Sequence, residues 1–429
     1  MHPSPRPPAA PFSRSRIFVW TLFDFANTSF SVLIVAVGYS LYFREVVAGG
    51  AGRGDFLWGL AVSVSMLATA LLAPLLGAAS DAAGLRKRFL LSFTALSVLS
   101  TAGLWTVEPG MVMQGALLFI LANVGFEGGI VFYNAFLPGL APPSLLGRVS
   151  GYGFAMGYAG SLASLLLAAP LFAGGFAPGN LPHIRLSFLL AAGMFALFSA
   201  PLFLFLREAP DGAPRAAGLL RTGYDRVFQT LRHLRLHRHT ARFLLAFFFY
   251  NDGVLTVIAF ASIFAQETLG FSLQDILLLF ALVQASALGG SVLVGHLADR
   301  IGPKHTITLT LVIWLGIVVS AVLVDSAEAF YAVGIAAGAA MGGAQSASRS
   351  MMALLTPPHR EAEFFGFYDG FCGKGSAVLG TFLFGFLSWT TGDQRTAILC
   401  IGAFFLAGLL LLQRVEDPFR RDGAVRPGA

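Results

Sequence analysis

Two polar clusters stand inside stretches of the chain that are otherwise apolar, and each contains a carboxylate. The first is Asp24 with Asn27, three residues apart and therefore on one helical face, and the second is Asn251 with Asp252. An unpaired carboxylate at the depth of a bilayer costs roughly 2.5 to 3.5 kcal/mol on insertion scales, so we expect both clusters to face water or a polar partner. They could bind a solute or a proton inside a membrane; the alternative is hydrogen bonding between helices of one bundle.

Glu127 is the strongest single candidate for a proton-coupling carboxylate. It shares one helical face with Asn123 and Asn134, at offsets of four and seven residues. Acidic side chains buried in membrane proteins commonly form proton relays, although a structural hydrogen bond to a neighbouring helix is the alternative. Lys374 lies in the middle of another apolar stretch, where a lysine either pairs with a carboxylate or binds an anionic group of a substrate.

Other polar residues in apolar stretches are weaker candidates. Gln284 and Gln345 could line the same pathway. Arg349 follows Gln345 by four residues near the end of its stretch, where pairing at a gate or snorkelling is favoured over contact with a substrate. Asp369 precedes Lys374 by five residues, and an α-helix would turn this spacing to different faces, so we do not pair the two.

The elements that must position these side chains are long enough to cross a membrane. Of the 429 residues, 56% are hydrophobic and 12% are charged, and a mean hydropathy of +0.74 excludes an ordinary soluble domain. Apolar runs of about 18 to 26 residues predict twelve spans. They lie near 18–42, 56–79, 89–107, 112–136, 149–173, 184–206, 243–265, 273–297, 305–325, 329–348, 364–388 and 395–413.

A hydrophilic segment divides the spans into two sets of six. We therefore predict an all-α integral membrane fold of two pseudo-symmetric six-helix bundles. The predicted parts are a disordered tail (1–16), an N-terminal bundle (17–206), a basic amphipathic linker on the membrane surface (207–241), a C-terminal bundle (242–414) and a second tail (415–429).

The distribution of basic residues predicts the orientation in the membrane. Of the 28 Lys and Arg residues, 23 lie on the side of the N-terminus and four on the opposite side, with Lys374 inside a span. Both termini are therefore predicted to be cytoplasmic. Because the net charge of +6 follows the topology in this way, we do not expect binding of nucleic acid.

The two halves repeat one loop motif after their second spans. Residues 77–88 read GAASDAAGLRKR and residues 295–304 read GHLADRIGPK; in both, Asp follows the first Gly by four residues and another Gly follows three residues later. Such glycines permit close helix approach, and the Asp can cap a helix N-terminus or pair with a loop Arg. We predict a cytoplasmic gate formed by Gly77, Asp81, Gly84, Arg86, Arg88, Gly295, Asp299, Arg300, Gly302 and Arg349.

With its twelve spans, its basic central segment and this doubled motif, the sequence resembles the major facilitator superfamily of secondary transporters. Further stretches are similar to one branch, the vacuole-effluxer-like family, whose fungal members are linked to autophagy and export amino acids from the vacuole. These stretches are 24–27, 122–138 (ANVGFEGGIVFYNAFLP), 147–161 (GRVSGYGFAMGYAGS), 249–253 (FYNDG), 346–350 (SASRS) and 364–376 (FFGFYDGFCGKGS). The resemblance implies a solute carrier that works by alternating access.

We therefore expect a secondary active transporter of a small polar solute, with amino acids as one class, coupled to protons in a bacterial inner membrane. The alternatives are an exporter of amphipathic compounds, which an aromatic content of 13% keeps open, and a non-transporting membrane sensor. The expected partners are a small-molecule substrate, protons and the lipid bilayer.

We expect neither enzymatic activity, nor a cofactor, nor a metal. The glycine run at 151–160 lies inside an apolar helix, whereas a dinucleotide-binding fold places its glycines after a strand. The Gly-Lys pair at 373–374 lacks the spacing of a phosphate-binding loop, and we find no metal-ligand spacing. Cys372 and Cys400 fall inside predicted spans and are interpreted as packing residues.

Overall fold

The computed structural model of the chain describes residues 13–50, 52–207, 218–391 and 394–421, and in these ranges it is helical with no strand. The helices are α1 (Arg14–Phe30), α2 (Gly38–Tyr42), α3 (Arg53–Ala83), α4 (Arg86–Gly103), α5 (Val112–Asn134), α6 (Leu146–Phe172), α7 (Leu181–Phe205), α8 (Leu219–Arg232), α9 (Arg238–Leu269), α10 (Leu273–Ile301), α11 (Pro303–Leu323), α12 (Ala327–Leu355), α13 (Glu361–Phe365), α14 (Gly373–Gly375), α15 (Ala377–Thr391), α16 (Gln394–Gln413) and α17 (Pro418–Arg421).

Within the described ranges, ten helical stretches are long and apolar enough to cross a membrane. They correspond to the first nine predicted spans and the twelfth. The tenth predicted span is α12, whose hydropathy is lowered by its Gly and Ser residues, and the eleventh is an interrupted helix that begins as α13 and ends as α15. The predicted all-helical membrane fold is confirmed.

The predicted tails and the linker lie partly outside the described residues. The first helix begins at Arg14. Residues 1–12 of the predicted N-terminal tail lie outside the described residues. The same holds for 208–217 of the predicted linker, whose described part contains α8, and for 422–429 of the predicted C-terminal tail.

Among the described residues, two of the contacts between the halves are the most extensive. One is that of α3 with the start of the eleventh span, and the other is that of α6 with α10. Both contacts depend on glycine: a Cβ at Gly77 would lie 2.2 Å from the carbonyl oxygen of Ala362, and one at Gly295 would lie 2.7 Å from that of Gly147. Because successive spans alternate in direction, both contacts lie on the side where α1 begins, which we call the basic side.

Two spans depart from α-helical geometry. The first continues after α1 as a π-helix (Ser31–Ala36), and the eleventh contains a π-helix (Gly366–Cys372) between α13 and α14. A π-helix bonds residues five apart, so its turns are wider than those of an α-helix, and it occurs frequently at functional sites. Asp369 lies on this π-helix and Lys374 just beyond it. We separated the two residues on the premise of a regular α-helix, and this premise is wrong for the segment between them.

Candidate functional site

A salt bridge between the two halves includes the first predicted carboxylate. Asp24 of α1 and Arg349 of α12 are both buried, and Arg349 Nη1 lies 3.1 Å from Asp24 Oδ2. The same carboxylate oxygen accepts a hydrogen bond of 2.8 Å from the hydroxyl of Tyr133. The sequence assigned Arg349 to the gate, whereas the structure pairs it with a residue of the predicted pathway.

Several further contacts fix the position of Arg349, whose side chain is 2% exposed. Its Nε donates to Ser150 Oγ at 3.0 Å and its Nη2 donates to the Ser150 carbonyl oxygen at 2.7 Å. The guanidinium lies 4.0 Å from the ring centroid of Phe154 and 5.0 Å from that of Trp20. Because only arginine combines planar donors with stacking on rings, lysine cannot replace it here. Arg349 therefore joins α12 to α1 and α6.

Asn134, the last residue of α5, extends this network to the eleventh span. Its side-chain oxygen accepts from Arg349 Nη1 at 3.1 Å, and its side-chain nitrogen donates to Asp369 Oδ2 at 2.9 Å. Asp369 also interacts electrostatically with Lys374, Arg349 and Glu127. The π-helical turn thus brings into the network a carboxylate that the spacing argument had left out.

A second salt bridge between the halves joins Glu127 of α5 to Lys374. Lys374 Nζ lies 2.6 Å from Glu127 Oε2, so of the two expectations for this lysine the structure shows the pairing with a carboxylate. The side chain of Lys374 is 24% exposed and that of Glu127 is 6% exposed. Lys374 is therefore the more exposed member of the pair.

The charges of the two salt bridges are distributed unequally between the halves. Asp24 and Glu127 belong to the N-terminal half, and their partners Arg349 and Lys374 belong to the C-terminal half. With Asp369 added, three carboxylates lie near two cations. When all five groups are ionised, the network carries one excess negative charge, which a proton or a positive group of a solute would balance.

Asn251 and Asp252 of α9 make different contacts, inside the C-terminal half. Asp252 is fully buried, and both of its carboxylate oxygens lie 2.9 Å from the backbone amide of Gly380, while Asn251 donates to Ser376 Oγ at 2.8 Å. Both partners lie close to the point where the eleventh span resumes as α15. We predicted that this pair faces a water-accessible path, with hydrogen bonding inside one bundle as the alternative; the structure shows hydrogen bonds from α9 to the eleventh span of the same half, and a role in the pathway stays a prediction.

On the basic side, Asp81 joins the end of α3 to the start of the eleventh span. Its carboxylate accepts from the backbone amides of Ala362 and Glu363 at 3.2 and 2.9 Å. These amides open α13, and the positive end of a helix favours a carboxylate. Arg86 donates from Nε to Asp81 at 2.6 Å and also pairs with Glu361.

Asp299 makes the equivalent contact at the end of α10. It accepts from the backbone amides of Gly147 and Arg148 at 2.8 and 3.3 Å, and from Arg148 Nε at 2.6 Å. Each copy of the repeated motif therefore crosses to the first helical turn of a span in the opposite half. In this structure the halves are held together on the basic side by these two contacts.

The remaining predicted gate residues surround the two contacts. Gly84 and Gly302 follow α3 and α10 with φ angles of 62° and 87°, where glycine is favoured. Arg88 and Arg300 are exposed at the same side.

The remaining candidates for the pathway are Asn27, Gln345 and Gln284. Asn27 is buried one helical turn after Asp24. Gln345 accepts a hydrogen bond of 2.6 Å from the hydroxyl of Tyr158, and Gln284 is half-buried on α10.

Sequence reasoning did not select Tyr133, Ser150 or Asp369 as site residues. The available signal was that all three lie inside the stretches 122–138, 147–161 and 364–376, on which the family resemblance rests. Neither polarity nor helical spacing distinguishes Tyr133 and Ser150 from ordinary packing residues, because their partners lie in distant spans. Asp369 was set aside because its spacing from Lys374 was interpreted on a regular α-helix.

Comparisons with known proteins agree with the observed fold. The family model described as "Vacuole effluxer Atg22 like" matches residues 58–146 and 144–418. An uncharacterized MFS-type transporter from Bacillus subtilis, YxiO, is 28% identical over 416 residues, which cover 94% of this chain and 95% of that protein. Autophagy-related protein 22 from Kluyveromyces lactis is 24% identical over 359 residues, which cover 76% of this chain and 71% of that protein.

Among solved structures, the proton:xylose symporter XylE bound to 6-bromo-6-deoxy-D-glucose is similar with a TM-score of 0.75. The sequence identity is 17%, and the superposition covers 94% of this chain and 96% of that one. At this identity the similarity is one of fold.

Proposed function

Since the chain belongs to the Atg22-like vacuole effluxer family within the major facilitator superfamily, and is thus a multi-pass membrane transporter rather than an enzyme, we propose that it is a proton-coupled carrier of a small polar solute. Amino acids are the first class of solute to test. The proposed mechanism is alternating access, in which the two halves rock about the central charge network.

The observation that carries the proposal is the excess carboxylate of the network. Both central salt bridges join residues of different halves, so rocking of the halves stretches or breaks them. Breaking a buried pair by removing one partner costs about 3 to 5 kcal/mol, because a charge is left uncompensated. A proton bound to a carboxylate, or a solute charge placed against the released cation, would offset this cost.

The exposure of Lys374 indicates where a solute would enter this exchange. An anionic group of a solute would compete with Glu127 for the ammonium group, which lies 2.6 Å from Glu127 Oε2 and is the more exposed partner. The released Glu127 would then take up a proton. This exchange would couple binding of a solute to binding of a proton without leaving a bare charge in the membrane.

We place the protein in a bacterial inner membrane with its basic side in the cytoplasm. The support is the distribution of 23 Lys and Arg residues on that side and four on the other. In this orientation Asp81 and Asp299 close the cytoplasmic side, and solute would reach Lys374 from the opposite side.

The proposal is tested first by finding the solute. The purified full-length protein is heated with amino acids, sugars, nucleosides and amphipathic drugs, because a ligand that binds the folded state raises the unfolding temperature. Stabilising compounds are then labelled and tested for counterflow in proteoliposomes. We expect a small polar solute to show counterflow in the wild type and loss of counterflow in Lys374→Gln.

The matched control is Lys304→Gln, which removes a lysine from the basic side, where Lys304 donates to the carbonyl oxygens of Gln413 and Val415. This variant should retain counterflow. Counterflow of amphipathic drugs alone would favour the exporter hypothesis. Binding without counterflow of any solute would contradict a carrier and favour a sensor.

A further inference from the structure

Helix α8 has an apolar face that the rest of the described protein does not cover. Leu220, Tyr224, Phe228 and Leu231 are 61%, 62%, 55% and 48% exposed. Their spacing of four, four and three residues places them on one helical face. A face of this kind needs an apolar partner outside the described residues.

Arginines flank this apolar face. Arg221 and Arg232 on α8 and Arg235 just after it are exposed, and residues 219–238 contain five arginines against one acidic residue, Asp225. Helices with an apolar face and a basic polar face typically lie in the interface of membranes that contain anionic lipids. The charge of α8 is thus complementary to phospholipid head groups.

The buried face of α8 places the helix at the edge of the apolar zone. A Cβ at Gly223 would lie 2.5 Å from the carbonyl oxygen of Leu75 and 3.1 Å from Cβ of Ala79, so α8 packs directly on α3. Leu71 and Leu72, one turn earlier on α3, are exposed apolar side chains of a membrane span. Lipid tails cover such side chains, so α8 lies at the level of the head groups.

Thr230 connects α8 to the closed basic side. Its hydroxyl donates to Glu363 Oε1 and accepts a hydrogen bond of 2.8 Å from Arg360 Nη2, and Arg360 Nε lies 3.0 Å from Glu363 Oε2. The backbone amide of Glu363 is one of the two that bind Asp81. Helix α8 therefore contacts α3 of one half and the start of the eleventh span of the other half.

We propose that α8 binds anionic phospholipid head groups of the leaflet on the basic side, and that this contact stabilises the closed basic side through Thr230. In this proposal the lipid surface covers the exposed apolar face of α8, and the hydrogen bonds of Thr230 carry the stabilising effect of lipid binding to α13. The proposal does not depend on which solute is carried or on proton coupling.

The test compares full-length protein in nanodiscs of phosphatidylcholine with protein in nanodiscs that also contain phosphatidylglycerol. Hydrogen exchange of backbone amides is followed in segments 219–232 and 361–365 by mass spectrometry. We expect phosphatidylglycerol to slow exchange in both segments, on the order of fivefold for each arginine that contacts the lipid.

Two sets of variants separate lipid binding from its effect on the gate. Arg221→Gln with Arg232→Gln should lose the response in both segments. Thr230→Val should keep the response in 219–232 and lose it in 361–365, whereas Thr230→Ser, which retains the hydroxyl, should keep both.

The matched control is Arg14→Gln with Arg414→Gln, which also removes two exposed arginines from the basic side and should respond like the wild type. The proposal is refuted when phosphatidylglycerol leaves exchange in 219–232 of the wild type unchanged. It is also refuted when the control pair loses as much of the response as the pair on α8, or when Thr230→Val keeps the response in 361–365.

Discussion

Replacing Asp369 with Asn tests whether the excess negative charge that this third carboxylate gives the central network is what draws the coupling proton to it. Asn retains an acceptor for the side-chain nitrogen of Asn134, which lies 2.9 Å from Asp369 Oδ2, so the network can keep this hydrogen bond. The substitution removes one negative charge and leaves two carboxylates against two cations. The variant therefore has no excess charge for a proton to balance.

The size of the effect follows from the charge balance. One excess carboxylate corresponds to one proton for each solute carried. A difference of one pH unit then provides about 1.4 kcal/mol, which sustains roughly tenfold accumulation of a neutral solute, and two units sustain about a hundredfold. Without the proton, we expect the solute to reach nearly equal concentrations on both sides.

The assay uses proteoliposomes with an imposed pH gradient and a clamped membrane potential. We expect Asp369→Asn to lose accumulation driven by the gradient while retaining counterflow. The control is Asp325→Asn, because Asp325 is 80% exposed and pairs with Arg395 outside the network. Accumulation by Asp369→Asn equal to that of the wild type would refute the argument that the excess charge of this residue drives proton binding.

Three further substitutions test other parts of the structure. Asp24→Asn should lower the free energy of unfolding by about 3 kcal/mol because Arg349 stays buried without a counter-charge, and Arg349→Met in the same chain should recover part of this loss in a denaturant titration. Gly77→Ala should separate α3 from the eleventh span and speed hydrogen exchange in 361–365, whereas Gly59→Ala should not, since a Cβ there meets nothing within 4 Å. Asp252→Asn should retain accumulation driven by a pH gradient, because an Asn oxygen still accepts the backbone amide that Asp252 binds.

Each of these expectations has a contradicting outcome. Additive losses in the Asp24 and Arg349 variants would show that the two charges are not coupled. Equal exchange rates in the two glycine variants would remove the steric argument for close approach. Loss of accumulation in Asp252→Asn would return this carboxylate to the proton pathway.

The fold was accessible from the sequence because its signals are local. Hydropathy over single spans predicts the helices, and the repeated motif shows that the chain consists of two similar halves. The family resemblance, which rested on short stretches, is confirmed by the match over most of the chain. The contacts of Asp81 and Asp299 were foreseeable for the same reason, since a carboxylate after a helix has few suitable partners besides another helix start or a loop arginine.

The partners in the central network were not accessible from the sequence, because they are distant along the chain. Asp24 and Arg349 are separated by 325 residues, and no periodicity relates them. Asp369 was missed for a local reason, since a π-helix in the eleventh span changes which residues share a face. The contacts of Asp252 were not accessible either, because a polar residue at bilayer depth can accept from a backbone amide of a neighbouring span as well as line a pathway.

The contacts on the basic side and those in the centre differ in the free energy needed to separate them. On the basic side, Asp81 and Asp299 bind amides at helix starts, and two salt bridges, Arg86 with Glu361 and Arg148 with Asp299, also cross between the halves. These groups lie at the ends of spans, where water can bind them instead when the halves part. In the centre, Asp24 and Glu127 bind full charges in surroundings where water is scarce, so parting them leaves charges that need new partners. Under the proposed mechanism we therefore expect the basic side to open without a ligand, whereas rearrangement of the centre would have to be coupled to a proton or a solute.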